Sequence, residues 1–241
     1  MTPHESCEEI EKMTALSERT LKSYTSTRND ILKAIPQPPR RVLDVGCSNG
    51  ALCEKLKKIY PNAHITGIEH DEDLAAEARK KIDKVIVADL DLEQTEALAN
   101  EKIDLFIFAD VLEHTKNPKA ILRKFLTIAA PDAKVIISLP NVQHWTAIYE
   151  LLRGHWPERD RGLFDRTHLR WFTLRSIEAL AEDCCLSISS ISRNFRILDR
   201  PGGRLNRISR YASFLPLKNF LTYQYIVVLD NPARSKESEK K

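Results

Sequence analysis

No apolar run in this chain approaches the ~18 residues that a membrane span needs, and the polar start Met1-Thr-Pro-His-Glu-Ser lacks the basic-then-apolar form of a secretory leader. A soluble, cytoplasmic protein without a transmembrane segment is the expectation. The five cysteines (Cys7, Cys47, Cys53, Cys184 and Cys185) are odd in number and include no Cys-x-x-Cys pair, and the adjacent two can bridge only with strain. Reduced thiols follow, and no metal site is expected. A formal net charge of +3 is too small to imply nucleic-acid binding, although its distribution is uneven. From Arg193 onward 11 basic residues face 4 acidic ones, a local excess of +7 that leaves −4 for the rest and suits an anionic partner near the C-terminal part. There is no internal repeat.

What is present is enough apolar residue, 42% of 241, for a substantial core, arranged as alternating strands and helices. Strands are expected at 41–45, 64–68, 85–88, 103–108 and 134–139, and helices near 50–59, 72–81, 93–99 and 117–130. Short links between them point to a parallel sheet covered by helices on both faces. Pro61, Pro118 and Pro131 fall at expected element ends or first turns, where a missing N–H costs little. Ahead of this core, Ile10, Met13, Leu16, Leu21, Tyr24, Ile31 and Leu32 recur at roughly helical intervals before Pro36-Gln-Pro-Pro39, so residues 1–35 read as a helical flap. After Pro140 come a helical stretch, 142–153, and a polar segment to Thr167. This insertion, about 141–172, follows the fifth strand on the ligand side of a doubly wound sheet and reads as a lid. A helix at 174–182, strands at 186–197 and 223–229, and a disordered charged tail at 231–241 complete the chain. The main domain spans 36–230.

The segment Arg41-Val-Leu-Asp-Val-Gly46-Cys-Ser-Asn-Gly50 reads as a buried strand entering a glycine-punctuated turn that opens a helix. Gly46 and Gly50 let the backbone turn tightly and approach a ligand. Asp44 interrupts the apolar run where a dinucleotide enzyme is usually apolar, and an acid there orients the loop and accepts hydrogen bonds near a cationic ligand. From about Arg40 to Ile188 the chain resembles the class I S-adenosylmethionine-dependent methyltransferases. The resemblance is carried by Val42-Leu-Asp-Val-Gly46-Cys-Ser-Asn-Gly50, Ile65-Thr-Gly-Ile-Glu69-His-Asp71, Val85-Ile-Val-Ala-Asp89-Leu90 and Asp104-Leu-Phe-Ile-Phe-Ala-Asp110-Val-Leu-Glu-His114. The later runs Ser138-Leu-Pro-Asn-Val-Gln-His-Trp145 and Asp165-Arg-Thr-His168-Leu-Arg-Trp-Phe-Thr173 are similar to members acting on sugars and other small metabolites. Family members commonly carry glycine where Ser48 stands.

The resemblance implies a Rossmann-like, doubly wound seven-stranded α/β sheet with its last strand antiparallel, and S-adenosyl-L-methionine as cofactor. Asp44, Gly46, Ser48, Gly50, Glu69, His70, Asp89, Leu90 and Asp110 are the implied cofactor-binding positions. Glu69, about 20 residues past the glycine turn, has the placement of a ribose-binding acid; a solvated strand-end acid is the alternative. Asp89 either accepts from the adenine amino group or caps the helix after it, His70 lies against the adenine or faces water, and Asp71 caps its helix. Glu113 is a structural charge or a ligand. An alcohol acceptor needs a general base, and His168, His144 and His114, in that order, lie on segments that border the substrate side; each is otherwise a hydrogen-bonded structural histidine. Trp145, Trp156, Trp171 and Phe172 suit a sugar or aromatic acceptor as well as core packing. Arg204, Arg207 and Arg210 stand at helical spacing, as a basic face for a phosphate-bearing substrate or as a solvated helix.

The function expected is O-methylation of a small metabolite, with an anionic or sugar-containing acceptor and no stable nucleic-acid partner. The alternatives are an RNA-directed methyltransferase, a non-catalytic cofactor-binding protein and a nicotinamide oxidoreductase. Ser48, in place of the glycine closest to a pyrophosphate, argues against the last. Asp110-Val-Leu-Glu113 in place of an Asn/Asp-Pro-Pro-aromatic signature argues against amino methylation of DNA bases.

Overall fold

In the computed structural model, which describes residues 28–91, 98, 101–197 and 217–231, seven strands form one sheet in the order β3-β2-β1-β4-β5-β7-β6. The strands are β1 (Arg41–Val45), β2 (His64–Glu69), β3 (Lys84–Val87), β4 (Ile103–Ala109), β5 (Ala129–Pro140), β6 (Ser187–Phe195) and β7 (Thr222–Asp230). The first five pair in parallel. β7 enters between β5 and β6, antiparallel to both, so the fold is the Rossmann-like one with an antiparallel last strand. The order reverses between β1 and β4, and the crevice above the carboxyl ends of those two strands is where a doubly wound sheet binds ligand.

The helices are α1 (Asn29–Ala34), α2 (Ala51–Ile59), α3 (Glu72–Ala78), α4 (Pro118–Leu126), α5 (Trp145–Leu152), α6 (Leu174–Asp183) and α7 (Lys218–Leu221). Local chemistry sets several starts. Asp71 caps α3 by accepting from the Leu74 N–H, Asn117 caps α4 ahead of Pro118 at its first turn, and Thr173 with Ser176 closes a capping box on α6. The sheet separates two apolar layers. One gathers Leu43, Phe106, Phe108, Phe125, Val135 and Tyr225, the other Ile31, Val42, Leu56, Ile65, Ile107 and Ile136. Alternate residues of β1 and β4 thus point to opposite sides, as a strand covered on both faces requires.

The fifth strand differs from expectation. The helix before it stops at Leu126, and Ala129 already pairs with Ile103, with a register shift before Leu105 meets Lys134. The extra residues of β5 between those pairs take up Pro131, which cannot donate to a ladder and is tolerated at such an irregularity. The insertion after β5 folds back on the sheet's carboxyl edge: Val142 N–H donates to the Phe172 carbonyl, Leu163 N–H to the Tyr223 hydroxyl, and Leu163, Phe164, Ala147 and Tyr223 form a small core of their own. Most of the expected flap, the expected helix near 93–99, the basic positions Arg204, Arg207 and Arg210, and nearly all of the tail lie outside the described residues. Among the described residues no helix is long and apolar enough to cross a membrane.

Candidate active site

The turn after β1 is built by three consecutive constraints. Gly46 has φ +74°, Ser48 φ +50° and Gly50 φ +74°; the glycines adopt this left-handed region freely, whereas serine is strained there. A Cβ on Gly50 would also lie 3.1 Å from the Ala78 Cα. The N–H groups of Gly46 and Cys47 both donate to the Ile68 carbonyl at 2.8 and 2.9 Å, fastening the loop to the end of β2. The buried Glu69 carboxylate completes the fastening: Oε2 accepts from Ser48 N–H at 2.8 Å, and Oε1 accepts from His70 N–H at 2.9 Å and Asp71 N–H at 3.0 Å. A carboxylate offers about four acceptor positions, so Oε2 keeps capacity for one more donor.

Around this loop the other expected cofactor positions are distributed unevenly. His70 is exposed with Nδ1 2.9 Å from Glu69 Oε1. Asp89 is exposed and accepts from Asp91 N–H at 2.9 Å, a local turn of the capping kind, and Leu90 packs half-buried against the main core. Asp44 lies under the loop rather than on its surface. It is 2% exposed, and its Oδ2 accepts from the Cys53 thiol at 3.0 Å. Burial, reinforced by nearby Glu69 and opposed by Cys53 and Arg28, raises its pKa from 3.8 to about 7. Its contacts are those of a support beneath the loop. Burial likewise pushes the Cys47 and Cys53 thiols up, so neither is an activated nucleophile.

Asp110 follows β4 with φ +60° and is the centre of a polar network. Its carboxylate accepts from the Arg28 guanidinium, from the Ser138 hydroxyl at 3.1 Å and from the Gln224 amide. Arg28 also donates to Ser138 Oγ at 2.7 Å and to Asp30 Oδ1 at 3.0 Å, and Asn194 donates to Asp30 Oδ2 at 2.7 Å. Burial alone would disfavour charge on Asp30, but Arg28 and Asn194 outweigh it and hold the carboxyl below its usual range. Of this group only Asp110 was legible as a site residue. Ser138 stood in a recognised run without an assigned role, and Arg28 and Gln224 carry no local signal, since the chain before α1 and the placement of β7 bring them to Asp110 only in the fold.

Three residues further on, a 3₁₀ turn (Leu112–His114) presents Glu113 and His114. The Glu113 carbonyl accepts from Leu169 and Arg170 N–H at 2.8 and 3.0 Å, which draws the insertion over this turn and sets His168 beside His114, ring centroids 4.8 Å apart and 68° between planes. Glu113 is 1% exposed; burial first, then Asp110, raises its carboxyl well above the ordinary range. Burial and the neighbouring His114 lower His168 from 6.5 to about 4, so its imidazole is neutral at neutral pH. His144 is placed elsewhere. It caps α5, is fully buried, and commits Nδ1 to Thr146 Oγ1 and Nε2 to the Arg196 carbonyl, each at 2.8 Å, leaving no nitrogen free for proton removal. Trp156 lies edge-on to Trp171 and Phe164 at 6.2 and 5.1 Å, and Trp171 is half exposed.

A glycine turn over the switch point, an acid ending β2 and a charged corner ending β4 define a nucleoside-cofactor site in a doubly wound sheet. The class is that of the class I S-adenosylmethionine-dependent methyltransferases. A family model described as a methyltransferase domain matches residues 16–185, more than half of the chain, and the chain belongs to that family. Among curated proteins, the ubiquinone biosynthesis O-methyltransferase of Xanthomonas euvesicatoria is 31% identical over 122 residues, 49% of this chain and 48% of that protein. The same-named protein of Xanthomonas axonopodis is 29% identical over 147 residues, covering 55% and 61%. The chain spans about half the length of the curated relatives it matches. Among solved structures, a SAM-dependent methyltransferase from Archaeoglobus fulgidus is similar with a TM-score of 0.57 at 18% identity, covering 84% of this chain and 91% of that one. The magnesium protoporphyrin IX methyltransferase from Synechocystis, solved with bound SAH, is similar with a TM-score of 0.56 at 16% identity, covering 90% and 84%. At these identities the structures establish the fold.

The residues present fit the family's cofactor, S-adenosylmethionine. Ser48 Oγ in the glycine turn is buried without a partner, and Arg28 beside Asp110 pairs one cation with one anion, as the zwitterionic end of an amino acid would require.

Proposed function

We propose that the protein transfers a methyl group to a hydroxyl of a small metabolite, with the acceptor seated between the 3₁₀ turn and the insertion after β5. The observation that carries this reading is the corner after β4, where Asp110, Glu113 and His114 stand within one turn of chain and the insertion sets His168 beside them. One side of the corner suits the cofactor's amino-acid end and the other an acceptor. Arg28 would hold the carboxylate, Asp110 the ammonium, and the remaining capacity of Glu69 Oε2 a ribose hydroxyl, with His70 and Asp89 at the rim. When bound, the cofactor supplies an electrophilic methyl on a sulfonium, and the reaction is an in-line displacement in which C–O forms as S–C breaks and its electron pair returns to sulfur.

The chain's own work is alignment and exclusion of water. The insertion, acting as a lid, covers the acceptor side through its bonds to the Glu113 carbonyl. The hydroxyl must also lose its proton, and the nitrogen lone pairs of His114 and His168 are what the chain offers it. His144 has no such role. The name of the Xanthomonas relatives supports an oxygen acceptor, and the Trp156–Trp171 wall supports a flat or sugar-bearing one. The unpaired thiols Cys47, Cys53, Cys184 and Cys185 fit a reducing compartment, the ground on which we assign the protein to the cytoplasm.

Calorimetry with S-adenosylmethionine and SAH, with NADH as control, followed by a screen of phenols and nucleotide sugars, tests the reading. Binding of both methyl-cycle ligands and transfer to an oxygen acceptor are expected. A folded protein that binds neither would remove the assignment.

A further inference from the structure

We propose that Glu113, His114 and His168 form a divalent-cation site that binds and acidifies the acceptor hydroxyl; the acceptor role rests on the methyl-transfer reading, the site itself does not. One ligand atom from each residue can be chosen so that all three lie within 4.8 Å of one another. Metal–ligand bonds of about 2.0–2.2 Å require ligands roughly 3–4 Å apart, a distance that small side-chain rotations close.

Two independent features show that the atoms are prepared for such a ligand. The first is Glu113, whose Oε2 is buried with no hydrogen-bond partner. A buried carboxyl oxygen without a donor is costly unless something else satisfies it, and the nearest anion, Asp110, adds like charge. Arg28 offsets part of that charge, yet leaves Oε2 unsatisfied.

The second is the tautomer of His114. Thr167 Oγ1 donates to Asp165 Oδ1 at 2.7 Å, so its hydrogen is spent and the oxygen accepts from His114 Nδ1–H at 2.9 Å, which the Thr167 carbonyl shares at 3.2 Å. With its proton on Nδ1, His114 keeps an unprotonated Nε2. A neutral imidazole at His168, whose ring centroid lies 4.8 Å from that of His114, likewise carries one lone pair. Metal-ligating histidines are held in this way, with the second N–H given to a carbonyl or, through a hydroxyl here, to a carboxylate.

Two imidazoles and one carboxylate occupy one face of an ion and leave the remaining positions open. This donor set suits Mn²⁺, Fe²⁺, Co²⁺ or Zn²⁺ rather than Ca²⁺, which takes six to eight oxygens. An acceptor hydroxyl taking an open position is acidified and releases its proton to water. Its oxygen then forms the C–O bond while the S–C electron pair returns to sulfur, and the cation keeps its oxidation state throughout. With a cation bound, the lone pairs of His114 and His168 are spent on it, and the histidines act as ligands in place of the proton-accepting role they have without it. The absence of Cys-x-x-Cys spacing hid such a site in the sequence, because its ligands come from a 3₁₀ turn and an insertion loop that meet only in the fold.

The test uses the untagged chain, stripped with a chelator and titrated with Co²⁺, whose visible absorption reports ligation, and then with Zn²⁺ and Mn²⁺. Wild type is compared with Glu113→Gln, His168→Gln and Thr167→Val, and SAH binding is measured in each as a check on fold. One cation per chain is expected, with affinity lowered about 10–100-fold in Thr167→Val and further in the two ligand variants while SAH binding holds. Absence of one-to-one uptake by wild type that binds SAH, or uptake unchanged in all three variants, would overturn the site. Cation uptake with methyl transfer indifferent to chelation would overturn its acceptor role alone. Loss of SAH binding by wild type would strike the proposed function instead, whatever the Co²⁺ titration shows.

Discussion

Replacing Asp44 with asparagine should stabilise the protein, and more so as pH rises. Asp44 is buried under the glycine turn with one thiol donor, and its pKa is raised from 3.8 to about 7. The folded state therefore holds a proton that the unfolded chain has released between those two values. Stability falls as pH rises through that window, the reverse of a salt-bridged carboxylate. Integrating the two titrations gives a cost to wild type of about 2 kcal/mol at pH 5 and about 4 kcal/mol at pH 8, nearly constant above. Asparagine has the same shape, keeps an oxygen for the Cys53 thiol and removes the charge. Against a total stability of about 5–15 kcal/mol, the change is large enough to read from urea midpoints. Burial shifts Glu113 upward and His168 downward as well, so the quantity to follow is variant minus wild type. A gain growing by about 2–3 kcal/mol from pH 5 to pH 8 is expected; a difference that stays flat with pH, or an unstable variant at pH 8, would refute the account of Asp44 as a buried, protonatable support.

Other outcomes follow from single contacts. Ser48→Gly relieves a left-handed residue and removes a buried hydroxyl without a partner, so thermal unfolding should show a gain of about 1 kcal/mol after the entropy of glycine is allowed for. Arg28→Ala removes the cation beside Asp110 and Ser138; at about 1.5–3 kcal/mol for a charge-assisted bond, calorimetry should show SAH affinity falling 10-fold or more, whereas unchanged affinity would place the cofactor's carboxylate elsewhere. His144→Ala breaks two buried hydrogen bonds and a helix cap, so urea unfolding should register a loss of about 2–4 kcal/mol, with kcat for methyl transfer unchanged under conditions where the variant is folded. A kcat collapse in that variant would return His144 to the chemistry.

What the sequence by itself determined is what short stretches encode. Periodicity and turn residues marked the alternation of strands and helices. The glycine spacing after β1 and the acids ending β2 and β4 marked the ligand edge, because strand, turn and helix start are contiguous and each imposes its own residue types. Asp71 as a cap was legible for the same reason. The start of β5 was not, since whether Ala129 ends a helix or begins a strand depends on Ile103 across the sheet. Nor was the fate of Asp44, which is set by Cys53 and the depth of the loop, or that of His144, which is set by a carbonyl 52 residues away. Only the tertiary structure decided which charges meet. β5 and β7 carry Ser138 and Gln224 to Asp110, the chain before α1 delivers Arg28, and the insertion returns His168 to a turn 54 positions earlier. Such encounters depend on strand order and the path of a long connection, quantities spread over the whole chain, so no local pattern of residues announces them.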